Sequence, residues 1–260
     1  MSTQKNQVNL NDLSREELVK LAETLSIIDD RATYDKQQFL FPETGPFRRD
    51  LYPKHMLFFE AGASYKERAL IAGNRTGKTY ASCAELSFHL NGKYPIWWKG
   101  KRFNGPIKVW SAGKTHETTR DILQQELMGN RYDLGTGMIP KNDIIRTTTK
   151  PGVPDAILDV GVRWHNPDGS WDGKSASQLT FKSYIQGVEA FMGTQVHVIQ
   201  LDEEPDVNGI YSECLTRTMT TDGIVICTFT PLLGLSEVVL SFLPDGKFPN
   251  NGFGEVIRRE

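Results

Sequence analysis

The chain has 260 residues, which is enough for one large domain or two small ones. Hydrophobic residues make up 38% of the chain and aromatic residues 10%, so a proper core can form and a predominantly disordered protein is excluded. The formal net charge of −2 excludes a strongly basic protein, so any contact with nucleic acid must be local.

The three cysteines are odd in number and have no metal-ligand spacing, which is typical of small core residues in a reducing compartment. No apolar run is long enough to span a membrane, and the N-terminus lacks a charged-then-apolar signal segment. We therefore expect a soluble intracellular protein with no membrane contact.

A helix is predicted close to the N-terminus, after a polar stretch at 1–12 that we expect to be loosely held. Ser14 and Glu17 have the spacing of a capping box. The apolar residues Leu18, Leu21, Ala22, Leu25 and Ile28 then recur at helical spacing, which predicts an amphipathic helix to about Arg31. We expect this helix to pack on its own domain, and docking to a partner is the less favoured alternative.

Aromatic residues and prolines are concentrated between Phe39 and Phe59. A segment of this kind just before a phosphate-binding loop can fold over an adenine base. Tyr52 offers a ring for stacking and His55 a hydrogen bond. The phenylalanines are equally consistent with plain core positions.

A phosphate-binding loop is predicted after a short apolar run that begins at Arg68. Its glycines let successive backbone N–H groups point inward at an anion, and the following helix directs its positive end to the same place. A lysine can reach the outer phosphates, and the next hydroxyl can ligate Mg²⁺. Ala72 departs mildly from the usual first glycine, and a glycine-containing strand-to-helix turn is the alternative. The loop residues are Gly73, Asn74, Arg75, Thr76, Gly77, Lys78 and Thr79.

The helix that follows the loop is predicted from Lys78 to Leu90, and a loop punctuated by Gly and Pro runs from Asn91 to Pro106. The second loop interleaves two tryptophans and a phenylalanine with the basic residues Lys99, Lys101 and Arg102. Such a segment can hold nucleic acid through phosphate attraction and base stacking. It can equally be a packed loop with solvated lysines.

The middle of the chain alternates predicted strands and helices. A strand is predicted at Ile107 to Ala112, a helix with Thr115 as N-cap at Thr115 to Met128, and a Gly-rich loop at Asn130 to Asn142. Two further strands, Ile157 to Trp164 and Gln178 to Ser183, flank the turn Asn166-Pro167-Asp168-Gly169. We expect this hairpin to be an excursion that decorates the core.

An acidic pair follows the apolar run Val196 to Leu201. A buried strand would present Asp202 and Glu203 at its C-terminal tip, the arrangement of a Walker B motif. We expect Asp202 to hold Mg²⁺ and Glu203 to polarise the attacking water. An exposed acidic turn is the alternative interpretation, and the presence of the phosphate-binding loop upstream argues against it.

The last predicted elements are a helix at Ile210 to Met219, a strand at Ile224 to Thr228 and a helix at Leu235 to Leu243. The strand ends in Thr228-Phe229-Thr230-Pro231. Thr228 and Thr230 at such a tip can sense a γ-phosphate.

Taken together, the ordered motifs resemble the ATPase domain of the tailed-bacteriophage terminase large subunit, the motor that packages viral DNA. The resemblance covers about Leu51 to Gly234. It rests on Tyr52-Pro53-Lys54-His55, Ala72 to Thr79, Leu201-Asp202-Glu203-Glu204-Pro205 and Thr228-Phe229-Thr230-Pro231-Leu232. His55 stands where many family members have a glutamine that reads adenine.

The resemblance implies a hydrolase that uses ATP and Mg²⁺ to move double-stranded DNA into a procapsid. It implies a homo-oligomeric ring on the portal protein, contact with the small terminase subunit, and work in the cytoplasm of the infected bacterial host. Lys78, Glu203 and Arg75 would be catalytic, with Arg75 stabilising the transition state, and Thr228 and Thr230 would couple hydrolysis to movement. Arg217 and an arginine from a neighbouring subunit are the other candidates for stabilising the transition state.

We expect a three-layer α/β fold of the RecA/ASCE-like P-loop NTPase type, with a mostly parallel central sheet. The expected divisions are an N-terminal helix segment at 1–33, the ATPase domain at 34–235, and at 236–260 the start of a linker or lid toward a nuclease domain. Nuclease activity is not expected of this chain.

Two other functions remain open at this level. One is a helicase-like or repair DNA-dependent ATPase with the same core, which would need a second motor lobe. The other is a non-hydrolysing, nucleotide-gated binding module. The adjacent Asp202 and Glu203 argue against that module, because only hydrolysis needs the glutamate.

Overall fold

The structure is a computed structural model that describes residues 13–207, 209–230 and 236–243, and the backbone alone of 255–259. Its helices are α1 Arg15–Tyr34, α2 Pro53–Ala61, α3 Lys78–Asn91, α4 His116–Thr118, α5 Gln125–Met128, α6 Ile210–Thr218 and α7 Glu237–Phe242. Its strands are β1 Glu67–Ile71, β2 Lys108–Gly113, β3 Gly129–Asn130, β4 Asp133–Leu134, β5 Ile144–Thr149, β6 Ile157–Arg163, β7 Ala176–Ser183, β8 Val198–Asp202, β9 Ile224–Phe229 and β10 Glu255–Arg259.

An eight-stranded sheet organises the described residues, in the order β10-β1-β9-β8-β2-β7-β6-β5. The five strands from β1 to β7 in that order are parallel to one another, whereas β10, β6 and β5 join antiparallel. The expected mostly parallel α/β sheet is confirmed. Parallel strands end at one edge of the sheet, so the loops after β1, β8 and β9 meet there.

Alternate residues of the central strands face two separate cores, which makes three layers. Leu70, Val109 and Val198 face α2 and α3 in one core, and Ala69 and Ile199 face α6 and α7 in the other. Both faces of the sheet are covered, which is why these strands read as short continuous apolar runs.

The predicted helix at Thr115 to Met128 is present, but it is not one regular α-helix. Thr115 caps α4 through its side chain, and a π-helical turn at Thr119–Gln124 then connects α4 to α5. Gln124 in that turn uses its side chain to accept from the backbone of Ile157 and to donate to the carbonyl of Asp155. The turn therefore fixes the start of β6.

The hairpin expected to decorate the core is instead part of the sheet. β7 pairs parallel with β2, and β6 pairs antiparallel with β7 across the predicted Asn166–Gly169 turn. Alternate residues of β7 are buried, so the strand has one face on the core. β5 was not predicted, because Ile144–Thr149 is mostly exposed and its threonine run lacks an apolar alternation.

Two elements from the 236–260 stretch, where the start of a linker or lid is expected, lie against the domain. Val239 and Phe242 of α7 are buried in the α6-side core. β10 pairs antiparallel with β1 along its whole length. Residues 1–12 and 231–235, with the expected loose N-terminus and the Pro231-Leu232 part of the threonine motif, fall outside the described residues, as do 244–254.

The N-terminal helix is present with its predicted capping box, but the expectation that it packs on its own domain is wrong. None of the side chains of α1 is buried. Apolar residues 18, 19, 25, 27 and 28 are each at least 40% exposed. No helix within the described ranges has the length and apolar character needed to cross a lipid bilayer.

Candidate functional site

The candidate site lies at the edge of the sheet where the parallel strands end. The predicted phosphate-binding loop connects β1 to α3, and β9 and β8 are the next two strands along the sheet. The fold therefore brings the loop together with the acidic pair and the threonine pair, which both lie more than 120 residues later in the chain.

The loop has the backbone of an anion-binding turn. Gly77 takes a φ of 80° and directly precedes α3, and Arg75 takes the unusual φ of 61° for a residue with a side chain. The hydroxyl of Thr76 donates to the carbonyl of Gly73 at 3.0 Å and holds the loop closed. Asn74 to Gly77 are exposed, so their backbone is accessible to a ligand.

Lys78 is buried at the start of α3 and points back across the loop. Its ammonium donates to the carbonyl of Gly73 at 2.9 Å and to the hydroxyl of Thr230 at 3.0 Å. Burial lowers the pKa of Lys78, and the nearby carboxylates of Glu203 and Asp202 act in the opposite direction. The lysine is thus a cation held between neutral oxygens, in a position to exchange them for phosphate oxygens.

Asp202 is buried at the end of β8 and accepts two hydroxyl hydrogen bonds on one oxygen. Thr79 donates to its Oδ1 at 2.8 Å and Thr228 at 2.7 Å. Burial raises the pKa of Asp202 to about 6, although the two hydroxyls act to lower it. A carboxylate and a hydroxyl side by side are hard oxygen donors, the kind that Mg²⁺ uses together with substrate phosphates.

Glu203 is the next residue, yet its surroundings are the opposite of those of Asp202. Its side chain is exposed, and its backbone takes a φ of 61°. Its N–H donates to the carbonyl of Thr228 at 2.8 Å, and the hydroxyl of Tyr184 lies 3.1 Å from its carbonyl oxygen. The left-handed backbone turns the strand sharply, so one acid remains in the core while the other faces the open side of the loop.

Thr230 connects β9 to the phosphate-binding loop. Its hydroxyl lies 2.9 Å from the carbonyl oxygen of Ala72 and 3.0 Å from Oδ1 of Asn74. Thr228, two residues earlier, is buried against Asp202. The two threonines therefore contact different parts of the site, one the acid and the other the loop.

Tyr52 and His55 line a cleft of about 180 Å³ beside the loop, together with Leu70, Ala72 and Thr76. The His55 ring contacts the loop backbone: a Cβ placed on Gly77 would lie 3.3 Å from its Nε2. Burial lowers the pKa of His55, while its contacts with the backbone of Gly77 and Thr76 act to raise it. The cleft is open to the loop and lies where an adenine base was expected.

The arginine candidates are separated by the structure. Arg75 is exposed on the loop and forms no ion pair with another described residue. Arg217 lies in the last turn of α6, where its carbonyl accepts from Val196, two residues before β8, and its guanidinium pairs with Glu213 at 2.9 Å. Arg217 is therefore at the opposite edge of the sheet from Asp202 and is not part of this site within one chain.

The tryptophan-containing loop is mostly a packed loop. Trp98 is buried and its indole donates to the carbonyl of Lys101. Lys101 forms an ion pair with Asp222 at 2.7 Å, and the Arg102 guanidinium lies over the Tyr94 ring at 5.0 Å. Lys99 of the same loop is exposed, and it forms neither an ion pair nor a ring contact with another described residue.

Two contributors to the site were not recognised in the sequence. Tyr184, fully buried, places its hydroxyl 3.0 Å from the carbonyl oxygen of Asp202 and so supports the acidic tip. Phe41 has a φ of 50° and a buried ring 6.0 Å from both the Tyr52 and His55 rings. Tyr184 carries no local signal of this role, because the contact depends on the pairing of β7 with β2.

The family model described as "Terminase large subunit, T4likevirus-type, N-terminal" matches residues 69–252, which contain the loop, the acidic pair and the threonine pair but not Tyr52 and His55. The chain belongs to this family. It is 38% identical over 249 residues to the terminase large subunit of Salmonella phage P22, a match that covers 90% of this chain and 48% of that protein. The chain thus spans about half the length of the curated relative that it matches.

Solved structures of phage large terminases are also similar to this chain. The ATPase domain of the Thermus phage P74-26 large terminase matches with a TM-score of 0.49 and 18% identity, covering 74% of this chain and 72% of that one. The HK97 bacteriophage large terminase matches with a TM-score of 0.47 and 12% identity, covering 84% and 44%. Membership of the family rests on the family model and the P22 protein.

Proposed function

We propose that this chain is the ATP-hydrolysing motor part of a viral terminase that translocates double-stranded DNA into a procapsid. The observation that carries the proposal is the convergence of Thr79 and Thr228 on one oxygen of Asp202. It links the phosphate-binding loop, the acidic strand and the threonine strand in the arrangement that nucleotide hydrolysis requires.

ATP would bind with its phosphates over the exposed loop backbone from Asn74 to Gly77, at the positive end of α3. Lys78 would leave the oxygens of Gly73 and Thr230 and donate to the outer phosphates. The base would enter the cleft between Tyr52 and His55.

Thr79 and Asp202 would hold Mg²⁺, since they are adjacent oxygen donors beside the phosphate loop. The metal would supply positive charge that neutralises the phosphate oxygens as the terminal phosphoryl group is transferred. The raised pKa of Asp202, about 6, means that this carboxylate is ready to gain a cation at neutral pH.

Glu203 would orient the attacking water and accept its proton. The water oxygen bonds to the terminal phosphorus, and the bond from that phosphorus to the bridging oxygen breaks, leaving ADP and phosphate. The exposed position of Glu203 next to the buried Asp202 supports separate roles, with Glu203 acting on water and Asp202 holding the metal. Arg75, exposed on the same loop, would stabilise charge on the transferred group; this role remains a prediction.

Thr228 and Thr230 would carry the state of the nucleotide into β9. When Lys78 moves onto phosphate, it would release the Thr230 hydroxyl. A cation bound to Asp202 would change the carboxylate to which both Thr228 and Thr79 donate. Both changes act on the one strand that lies between β1 and β8. The proposed coupling of hydrolysis to DNA movement starts from this strand.

The remaining parts of the proposal rest on membership of the terminase family. They are a homo-oligomeric ring on the portal protein, contact with the small terminase subunit, double-stranded DNA as the transported substrate, and work in the cytoplasm of the infected host cell.

The proposal is tested with Lys78→Ala and the matched control Lys99→Ala, which removes an exposed lysine outside the site. Calorimetric titration with Mg·ATP and a phosphate-release assay would be run on both. We expect Lys78→Ala to lose binding and hydrolysis and Lys99→Ala to keep both. A packaging assay with the natural protein carrying Lys78→Ala should leave procapsids empty. Hydrolysis unchanged in Lys78→Ala would contradict the proposal.

A further inference from the structure

The N-terminal helix α1 is an amphipathic helix that buries none of its side chains against the described part of the chain. It is 20 residues long and has no buried side chain. Its last residue attaches it to the domain: the Tyr34 hydroxyl donates to Asp133 at 2.8 Å, and the Lys141 ammonium lies 3.8 Å from the centre of the Tyr34 ring. The helix is therefore fixed at one end, and most of the rest of its surface is exposed.

The apolar residues of α1 have coiled-coil spacing. Leu18, Leu21, Leu25 and Ile28 are separated by three, four and three residues, and Ala32 follows four residues later. This alternation places them on one stripe that a second helix can cover. Leu25 and Ile28 are each 55% exposed and Leu21 is half-buried, so the described residues leave most of that stripe uncovered.

The charges beside the stripe are complementary to those of an antiparallel copy of the same helix. With Leu18 opposite Ile28 of the second copy, and Leu21 opposite Leu25, Arg15 falls opposite Asp29 and Glu17 falls opposite Arg31. Symmetry repeats both pairs, which gives four opposite-charge pairs in one dimer. Within the described residues, Arg15, Asp29 and Arg31 form no ion pair on their own chain.

A parallel arrangement of the same helices has no such complementarity. It would place Glu17 opposite Ala22 and Asp29 opposite Thr24 of the second copy. We therefore propose that α1 is a dimerisation element that pairs antiparallel with α1 of a second copy of this chain, about a two-fold axis near residue 23.

Such a contact is isologous, so it closes on two copies and cannot repeat around a ring. It is independent of the nucleotide site and would join two motor chains before or apart from ring assembly. About two heptads of contact form a small interface, and we expect a dissociation constant of roughly 1–100 μM.

The first test compares two substitutions of the same kind on the same helix. Leu25→Glu places a charge in the stripe, whereas Ile27→Glu places one outside it, and both residues are 55% exposed in the monomer. Sedimentation equilibrium of the 260-residue chain should show a monomer–dimer equilibrium. We expect Leu25→Glu to raise the dissociation constant roughly 10²–10³-fold, because two leucines leave the interface, and Ile27→Glu to change it little.

The second test determines the orientation and the identity of the partner. Arg15→Glu and Asp29→Arg each create two like-charge contacts in the antiparallel dimer, and each should weaken dimerisation roughly fivefold to tenfold. The double variant Arg15→Glu/Asp29→Arg restores opposite charges and should restore the affinity. Circular dichroism and a thermal melt of each variant would check that the domain and α1 remain folded.

Three results would overturn the proposal. The first is a chain that stays monomeric at about 200 μM, well above the expected dissociation constant. The second is a dimer that Leu25→Glu and Ile27→Glu affect equally. The third is a double charge variant that dimerises no better than the single variants, which would assign the stripe to a different protein or to a parallel pair.

Discussion

The Lys78 ammonium donates a 3.0 Å hydrogen bond to the hydroxyl of Thr230, a residue 152 positions later in the chain. The same hydroxyl lies 2.9 Å from the carbonyl oxygen of Ala72, at the start of the phosphate-binding loop. Lys78, which would bind phosphate, is thus hydrogen-bonded to the end of β9, the strand proposed to respond to the bound nucleotide. This contact makes the β9 tip a component of the site rather than a neighbour of it.

Thr230→Val is expected to slow hydrolysis while leaving the fold intact. Valine has a similar shape but removes the hydroxyl that contacts Ala72 and Asn74, so the phosphate-binding loop loses its link to the end of β9 even after Lys78 has moved to the phosphates. We expect turnover to fall roughly tenfold, the loss of about 1.4 kcal/mol of transition-state stabilisation. Steady-state phosphate release measures this. Thr230→Ser keeps the hydroxyl and should retain most of the activity; equal activity of the Val and Ser variants would show that the hydroxyl is unimportant.

Asp202→Asn is expected to stabilise the nucleotide-free protein at neutral pH. Burial raises the pKa of Asp202 to about 6, above the value of about 3.9 for an unfolded aspartate. The folded state therefore binds this proton more tightly, and the associated stability is lost as the pH rises through about 6. In the presence of a chelator at pH 8, the variant should be more stable by roughly 2–3 kcal/mol.

This gain should shrink as the pH is lowered through about 6 and nearly vanish at about pH 3, where both states carry the proton. Urea unfolding of the two proteins at several pH values measures it. Asp168→Asn is the control: serine contacts lower the pKa of this exposed carboxyl, so no stabilisation is expected. A variant that is equally or less stable at pH 8 would contradict the account of Asp202.

Glu85→Gln is expected to destabilise the domain strongly. Glu85 and Arg68 are both fully buried and are joined at 2.6 Å, between α3 and β1. Neutralising the acid leaves a buried guanidinium without its counter-charge, which typically costs about 3–5 kcal/mol. The control is Glu213→Gln, which breaks a partly exposed pair with Arg217 and should cost less than about 1 kcal/mol. Equal midpoints of urea unfolding for the two variants would refute the difference.

Neutralising Lys99, Lys101 and Arg102 together is expected to leave the salt dependence of DNA binding unchanged. Lys101 is paired with Asp222 and Arg102 lies over the Tyr94 ring, so two of the three charges are used within the chain. The slope of the logarithm of affinity against the logarithm of salt concentration counts the phosphates neutralised. A slope reduced by two or three in the triple variant would show that this loop does contact DNA.

The sequence predicts the site better than it predicts the sheet around it. The loop before Lys78, the Asp202–Glu203 pair and the Thr228–Thr230 pair each have a local signature, and parallel strands bring such strand ends to one edge. By contrast, the pairing of β7 with β2 is a long-range contact that no local pattern reports.

The same limit applies to α1 and to Tyr184. The spacing from Leu18 to Ile28 correctly predicts a helix, but it does not say whether the apolar stripe is covered, and here the domain leaves it exposed. The hydroxyl of Tyr184 reaches the carbonyl of Asp202 only because the strands are arranged as they are. Local sequence patterns therefore identify the chemical groups of the site, whereas the tertiary structure shows which residues contact them.

The most direct test of the proposed motor activity is a comparison of Mg·ATP binding and hydrolysis in the parent chain and in Glu203→Gln. The amide keeps the size of the exposed side chain and removes its basicity, while Asp202 and Lys78 remain in place. The account predicts binding unchanged within about threefold and turnover reduced roughly 10²-fold or more, the usual contribution of a general base. Turnover equal to that of the parent chain would contradict the assignment of Glu203 and, with it, the proposed mechanism of hydrolysis.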